Sequence, residues 1–319
     1  MPSTTLLDIA KLNGNDKVVG LIEENLKSSP ELSIFPMRTI KGTSYTTGVR
    51  TGLPTTGFRG ANEGQAASKS TFRKALIECF IFGGNIQADV AVADAYEDGA
   101  AAWQAIEASG VMKSALRNLG SQIWYGITQD AKGFPGLKAA LIKAAQTVAG
   151  DDLTVDATGT TASTASSVYA VKFGEQDAQL VGGLNSAFTL GDFYKQLVAG
   201  PTANTSFEAY VAALNAWIGL QIGNENCARR ILNLTAESGK GLTDLLLADL
   251  IATFPVGYVP DAIFMSRRSR KQLQKSRTVV LNGIGNGRPN QPALAPVPTD
   301  YDGIPIVATD SILNTDAIE

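Results

Sequence analysis

Histidine is missing from all 319 residues of the chain, and cysteine occurs only at Cys79 and Cys227, 148 positions apart. Histidine is the side chain that changes charge near neutral pH and the commonest metal ligand. Its absence excludes Ser-His-Asp and Cys-His nucleophile systems, and with them zinc sites built on histidine or paired cysteine. Chemistry through carboxylates, lysine or a bound nucleotide stays open, yet the composition points toward a protein whose job is to be a surface. Two distant cysteines build no disulfide framework and suit a reducing cytoplasm. Charge is also scarce: charged residues make up 18% of the chain and hydrophobic residues 44%, against a usual charged share of about a quarter. A monomer of this size covers its exterior with charge. Low charge with abundant Gly, Ala and Thr therefore implies that much of the exterior meets other protein, a large core accounting for part of it. The net charge of −3 provides no global basic field to draw the chain to nucleic acid. No apolar run reaches the roughly 18 residues of a membrane span, and the Met-Pro-Ser-Thr-Thr start lacks the basic opening and apolar core of a secretory signal.

What is present begins with residues 1–36, read as an arm. Leu6, Leu7, Ile9 and Leu12, then Val18, Val19, Leu21, Ile22 and Leu26, have helical spacing broken at Asn13-Gly14-Asn15. Pro30 to Pro36 is expected to be extended, because proline restricts itself and the residue before it. Little of this folds alone, so the arm lies on something else. Thr39–Val49 has strand composition, a glycine-studded tip runs from Arg50 to Gly64, and Ser70–Ile81 returns as a second strand. Together they predict a long two-stranded β-hairpin with a wide, mobile end; ordinary sheet strands joined by a long loop are the alternative. Such a ribbon is marginal alone in water and needs neighbours.

The spacing of Trp103, Ile106, Met112, Leu116, Leu119 and Ile123 predicts a helix over Asp94–Gln129, a rod of about 45 Å at 1.5 Å per residue. Asp94, Glu97 and Asp98 are assigned to its first turns, where they suit the helix dipole, and Gly110 and Gly120 weaken it. A second helix follows Pro135 through Val148, and residues 151–165 form a loop. Val168–Phe173 reads as a strand, as do the segments around Gln179–Leu184 and Ala216–Ile222, although Phe207–Ile222 is also compatible with a helix. Leu242–Phe254 is a helix stopped by Pro255, Asp261–Met265 a buried strand, Arg267–Lys275 a short basic helix, and Ile304–Ala308 a last strand after the loop 282–298.

The apparent nucleotide motifs fail on context. Gly283-Ile284-Gly285-Asn286-Gly287 runs into Arg288-Pro289-Asn290-Gln291-Pro292, which does not open the helix that a dinucleotide fingerprint requires. Ser238-Gly239-Lys240-Gly241-Leu242-Thr243 lacks the first glycine of a phosphate loop and is better explained as a helix start capped by Thr243. Arg267, Arg268, Arg270, Lys271, Lys275 and Arg277 form a dense positive patch without interleaved aromatic platforms. It reads as a solvated helix or an inter-subunit contact. Asp151-Asp152 and Glu23-Glu24 lack metal-loop spacing, and Trp103, Trp124 and Trp217 are expected in core or interface.

Three blocks in this order resemble the major capsid protein of tailed bacteriophages. The first is the arm, glycine-tipped hairpin and long helix of residues 1–125. The second is Trp217–Asn224 followed by Ala228–Leu234. The third is Asp261–Arg270 with Tyr301–Val307 downstream. The resemblance implies an α+β fold, the capsid fold shared by tailed phages and herpesviruses. Its expected parts are an N-terminal arm (1–36), an extended β-hairpin loop (37–82), a peripheral domain with a spine helix at about 95–125 (83–129), a first axial part (130–165), peripheral strands (166–233) and a second axial part (234–319). The chain departs from many relatives by stopping soon after the Gly303-Ile304-Pro305 strand. It also shows no long charged helical leader, which implies a separate scaffolding protein or a processed leader.

By that resemblance the chain is a non-enzymatic shell protein, assembling into hexamers and pentamers of an icosahedral head around double-stranded DNA. Catalytic, cofactor and metal residues are not expected. Arg50, Phe58, Arg59, Lys69, Arg73 and Lys74 on the hairpin, and Arg267, Arg268 and Arg270 on the basic helix, are expected to touch neighbouring subunits. The implied partners are copies of itself, portal, scaffolding and decoration proteins, and DNA held non-specifically on the inner face, with no membrane. The implied location is the virion capsid, after synthesis in the host bacterial cytoplasm. Some relatives crosslink subunits through a loop lysine and an asparagine; Lys69 and Lys74 stand in the corresponding loop, but no catalytic acid or partner residue can be placed. A non-viral compartment shell of the same fold, and a carboxylate- or nucleotide-using α/β enzyme, are the alternatives.

Overall fold

The computed structural model describes residues 4–13, 21, 23–142, 153–185, 188–200, 202, 204–283 and 295–319. Val18, Val19 and Ile22 of the arm, the expected helix beyond residue 142, the Asp151-Asp152 pair and the loop from Ile284 to Leu294 lie outside the described residues.

The arm lies on the chain's own long helix. Helix α1 (Leu6–Leu12) starts at a capping box in which Thr5 and Asp8 satisfy each other's backbone donors. Its Ile9 is buried in a cluster with Trp103. Asn13 accepts from the Glu97 N–H at 2.9 Å and donates to the Ala95 carbonyl at 3.1 Å. Further on, Glu23 pairs with Lys113, and Arg117 donates to the Asn25 and Lys27 carbonyls. Contrary to the expectation of extended chain over Pro30–Pro36, Glu31–Ile34 forms one turn, α2. Pro30 sits at the helix entry with φ −66°, where a missing N–H costs nothing. Phe35, ahead of Pro36, takes the extended conformation that the following ring imposes.

Two six-stranded sheets organise the rest. The first has the order β1 (Met37–Thr39), β7 (Ala178–Gly182), β10 (Ser206–Ile222), β4 (Phe80–Asp89), with β8 (Thr189–Leu190) and β9 (Tyr194–Ala199) also paired to β10. The 17-residue β10 is its spine, antiparallel to β4 from Ala209↔Asp89 to Ile218↔Phe80. The second sheet runs β13 (Asp300–Tyr301), β14 (Ile304–Ala308), β12 (Ala262–Met265), β6 (Ser166–Val171), β11 (Ala228–Leu234), β5 (Thr154–Asp156). The expected block of peripheral strands over 166–233 is therefore divided: β6 and β11 belong with β12 and β14, because they pair with them or with each other.

The strands of the second sheet are covered on both faces, and their side chains alternate between two cores. Tyr169, Val171, Ala262 and Phe264 point into a cluster with Phe35, Trp124, Phe134 and Leu180. Val168, Ala170, Ile263 and Met265 point the other way, onto Leu247, Leu250 and Leu273. These last three come from α6 (Asp244–Ala252), capped by Thr243, and α7 (Arg267–Gly283), which is longer than the expected 267–275. Trp124 is the hinge pin of the first cluster, stacked on Tyr169 at 4.9 Å and against Phe264 at 5.0 Å.

The predicted long helix divides into α3 (Val90–Asp94) and α4 (Ala100–Tyr125). Gly99, at φ +86°, is the break, so Glu97 and Asp98 precede the helix rather than lie in its first turn. At 26 residues α4 is about 39 Å long. A short turn, α5 (Leu137–Ala140), follows. Among the described residues no helix is long and apolar enough to cross a membrane.

Candidate assembly surfaces

Strands β2 (Ser44–Gly52) and β3 (Thr71–Glu78) form a two-stranded antiparallel ribbon, narrower than the expected 37–82. Met37–Thr39 instead pairs with β7, and the chain joins the first sheet from Phe80 onward. The crossing needs a residue without a side chain beneath it. A Cβ on Gly219 of β10 would come within 2.3 Å of the Glu78 carbonyl oxygen.

The register gives the ribbon two faces. Tyr45 opposite Ile77, Thr47 opposite Ala75 and Val49 opposite Arg73 make the inner face. Ile77 is buried with Val181 and Cys79, the Tyr45 hydroxyl donates to Gln221, and Arg38 lies over the Tyr45 ring at 4.5 Å. Arg73 pairs with Glu225 at 3.1 Å. The outer face carries Thr46 opposite Leu76, Gly48 opposite Lys74 and Arg50 opposite Phe72. Phe72 and Leu76 are 66% and 58% exposed there, with Arg50 over the Phe72 ring at 5.6 Å. An exposed ribbon face that pairs two large apolar side chains with two cations is a contact surface in form.

The expected mobile tip is tied across itself. Ser68 donates to the Thr55 carbonyl at 2.9 Å, Gln65 to the Gly57 carbonyl at 3.2 Å and Arg59 to the Glu63 carbonyl at 2.9 Å. Phe58 stands fully exposed at this end, and Lys69 is exposed two residues before β3.

Of the nine expected contact residues, Arg50, Phe58, Arg59, Lys69 and Lys74 are thus exposed on the outer face or tip. Arg73 is held on the inner face by Glu225. On α7, Arg267 is exposed and pairs with Asp310 at 2.7 Å, and Arg270 is half-buried. Arg268 is half-buried and turned toward the body: its guanidinium donates to the Thr164, Leu234 and Asn314 carbonyls at 2.7, 3.0 and 3.3 Å, because the helix packs that side onto the second sheet. The helix therefore has one uncharged side, where Ser269 and Leu273 face the core, and Arg277 holds Asp244 at 2.7 Å.

The sequence reading missed Arg230. It lies 1% exposed on β11, bonded to Ser167, the Leu141 carbonyl and both Glu319 oxygens at 2.9–3.2 Å. Lys138 adds Asp316 at 3.5 Å and Glu319 at 3.7 Å. Burial pushes the neighbouring Tyr169 hydroxyl up to about 12, so it stays neutral. Nothing in local sequence marks this cluster, since its partners are 89 positions apart.

Neither cysteine is poised for chemistry. Burial pushes the Cys227 thiol up to about 12 and raises that of Cys79, the opposite of what a nucleophile needs. Among the described residues no group of His, Cys, Asp and Glu side chains could hold a metal ion. A groove of about 460 Å³ lies between α4 and β4 and is lined by Phe80, Phe82, Asn118 and Leu214 among others.

Residues 15–318 match the model of a family described as major capsid protein GP7. None of the curated proteins matches the chain. The solved structure of bacteriophage Epsilon15 resembles it with a TM-score of 0.73 at 19% identity, covering 99% of this chain and 97% of that one. The capsid of a native GTA particle (TM-score 0.46, 9% identity, 69% and 95% covered) and the structure from Mycobacterium phage Cain (0.44, 12%, 70% and 93%) resemble it less.

Proposed function

Because this chain belongs to the major capsid protein GP7 family and is a structural shell protein of a phage head, we propose that its copies associate into hexamers and pentamers through the ribbon 44–78. The observation that carries the reading is the outer ribbon face, where Phe72 and Leu76 are exposed beside Arg50 and Lys74. A two-stranded ribbon gains little stability by itself, and burying what remains exposed of both apolar side chains contributes roughly 2–4 kcal/mol. In this reading the ribbon lies across an adjacent copy, and the first and second sheets correspond to the peripheral and axial domains of the shell.

The finer expectations belong to the same proposal. The chain performs no chemistry of its own; the raised thiols of Cys79 and Cys227 are consistent with that. Portal, scaffolding and decoration proteins are its further partners, and packaged double-stranded DNA meets its inner face non-specifically. It is made in the host cytoplasm before entering the virion.

Sedimentation and electron microscopy of purified full-length protein test the proposal. Capsomers or closed shells are expected, and deletion of residues 46–66 should abolish them. Normal shells from the deletion variant would remove the ribbon from assembly. A stable monomer of the intact chain at high concentration would remove the whole reading.

A further inference from the structure

Helix α7 holds six Lys or Arg among its seventeen residues and neither Asp nor Glu, in a chain whose net charge is −3. The fold commits part of that charge. Arg267 pairs with Asp310 and Arg277 with Asp244, while the terminal nitrogens of Arg268 donate to carbonyls. Among the described residues the side chains of Arg270, Lys271 and Lys275 make no ion pair or hydrogen bond.

Lys271 and Lys275 are exposed, stand one helical turn apart, with Cβ atoms about 5–6 Å from each other, and line a cavity of about 410 Å³. The facing wall is the loop that carries Ser238-Gly239-Lys240-Gly241, the run that fails as a phosphate loop. Gln272 ties the two walls together, donating to the Thr235 carbonyl at 2.7 Å and accepting from the Leu242 N–H at 3.4 Å. The approach is close: a Cβ on Gly241 would lie 3.0 Å from the Gln272 side chain. Lys240 is engaged elsewhere, on the Thr158 hydroxyl. The carboxylate in the lining, Glu237, is taken up by the N–H and hydroxyl groups of Thr160 and Thr161. Arg268 also lines the cavity, and its Nε–H is buried without an acceptor, where a buried donor is ordinarily paired.

We propose that this cavity on α7 takes phosphodiester groups of double-stranded DNA, with Lys271 and Lys275 as the phosphate contacts. The lining favours a phosphate over a protein partner. Protein interfaces are anchored by large aromatic and apolar side chains, and Leu242, the large apolar residue of this lining, is 1% exposed. Aromatic rings are absent from the lining, so unstacked bases find no platform there. A duplex keeps its bases stacked and presents phosphates, which charge and hydrogen-bond donors hold without reading sequence. The negative total of the chain confines such binding to this local patch. The inference rests on the reading of a shell around double-stranded DNA, and adds which side chains meet the phosphates.

Anisotropy of a short labelled duplex, titrated with the unassembled full-length chain over a series of salt concentrations, tests it. Lys271→Gln with Lys275→Gln should weaken binding at least about tenfold at 0.1 M salt and lower the slope of log affinity against log salt by about two. Lys11→Gln, at an exposed lysine of α1, should change neither. An unchanged slope in the double variant would overturn the site. At matched ionic strength, inorganic phosphate and polyglutamate should displace the duplex no better than sodium chloride does. Displacement by phosphate would make the cavity a site for a free anion, and displacement by polyglutamate one for an acidic protein; either result overturns the DNA assignment. In assembled shells an amine reagent too large to cross the wall should leave Lys271 and Lys275 unmodified, and their modification from outside would contradict contact with packaged DNA. Should the intact chain form normal shells yet show no lysine-dependent affinity for the duplex, the shell reading stands and only this site falls.

Discussion

Arg230 carries a full charge on β11, one strand in from the edge of the second sheet, and the cost of burying it is offset by the two-pronged contact with Glu319 and by Ser167 and the Leu141 carbonyl. Removing one member of such a pair is costlier than removing both. Glu319→Ala is expected to lower unfolding stability by roughly 3 kcal/mol, and Arg230→Met in the same chain to recover part of it; urea unfolding midpoints measure both. A loss below about 1 kcal/mol for the single variant would mean water already serves the guanidinium. Asp316 beside it behaves differently. Burial raises its carboxyl above the ordinary 3.8, against the pull of Lys138 and Arg230. A carboxyl raised in the folded state contributes stability that is whole below its unfolded value and lost as pH climbs through the folded one. The stability of the unchanged protein relative to Asp316→Asn should therefore fall as pH rises above the ordinary carboxyl range, and a difference that grows with pH would refute the assignment. None of this was visible in the sequence, where Arg229-Arg230 reads as an ordinary basic pair. A buried charge is recognised only when its distant partners come into place.

At the scale of elements, the two glycines of α4 separate sharply. Gly110 has open space where a Cβ would go, whereas at Gly120 a Cβ would lie 2.3 Å from Glu31 Oε1 and 2.7 and 2.8 Å from the hydroxyls of Ser311 and Ser29. Gly110→Ala should stabilise by about 0.5–1 kcal/mol through helix propensity. Gly120→Ala should cost about 1–3 kcal/mol by overpacking and expose residues 23–31 to protease, because the arm is what it displaces. Calorimetry with limited proteolysis distinguishes the two signs. The amphipathic spacing of Trp103, Leu119 and Ile123 made this helix legible, while its start was misread because Glu97 and Asp98 imitate a first turn. Strand β10 stayed ambiguous for another reason. Ala212, Leu214, Ala216 and Ile218 share one buried face, but the intervening Ala213, Trp217 and Gly219 are not polar, so period-two alternation is blurred in the sequence. Pro30–Pro36 was misread because proline at a helix entry and proline after a helix end bracket a turn as readily as an extended run.

For the whole molecule, the α+β class, the order of arm, ribbon and long helix, and the capsid family were all legible, because they rest on composition and on the sequence of element types. The assignment of strands to sheets was not. Strands β6 and β11 join β12 and β14 through pairings that span up to about 97 positions, which no local pattern records. The same limit hid the two faces of the ribbon, and so the distinction between Arg73, held by Glu225, and Arg50, left outward. The part that the exposed Arg50 and Lys74 play in a ribbon contact is screened by salt, with a Debye length near 10 Å at 0.1 M and about 3 Å at 1 M. Assembly measured by light scattering should weaken across that range, while apolar contacts of Phe72 and Leu76 persist. The central claim, that the exterior of this chain is completed by other copies of itself, is tested most directly by cryo-electron microscopy of the assembled protein. The account predicts a closed shell in which density for residues 44–78 of each subunit lies against the body of an adjacent one. A shell whose ribbons project freely into solvent, or only monomers at high concentration, would contradict it.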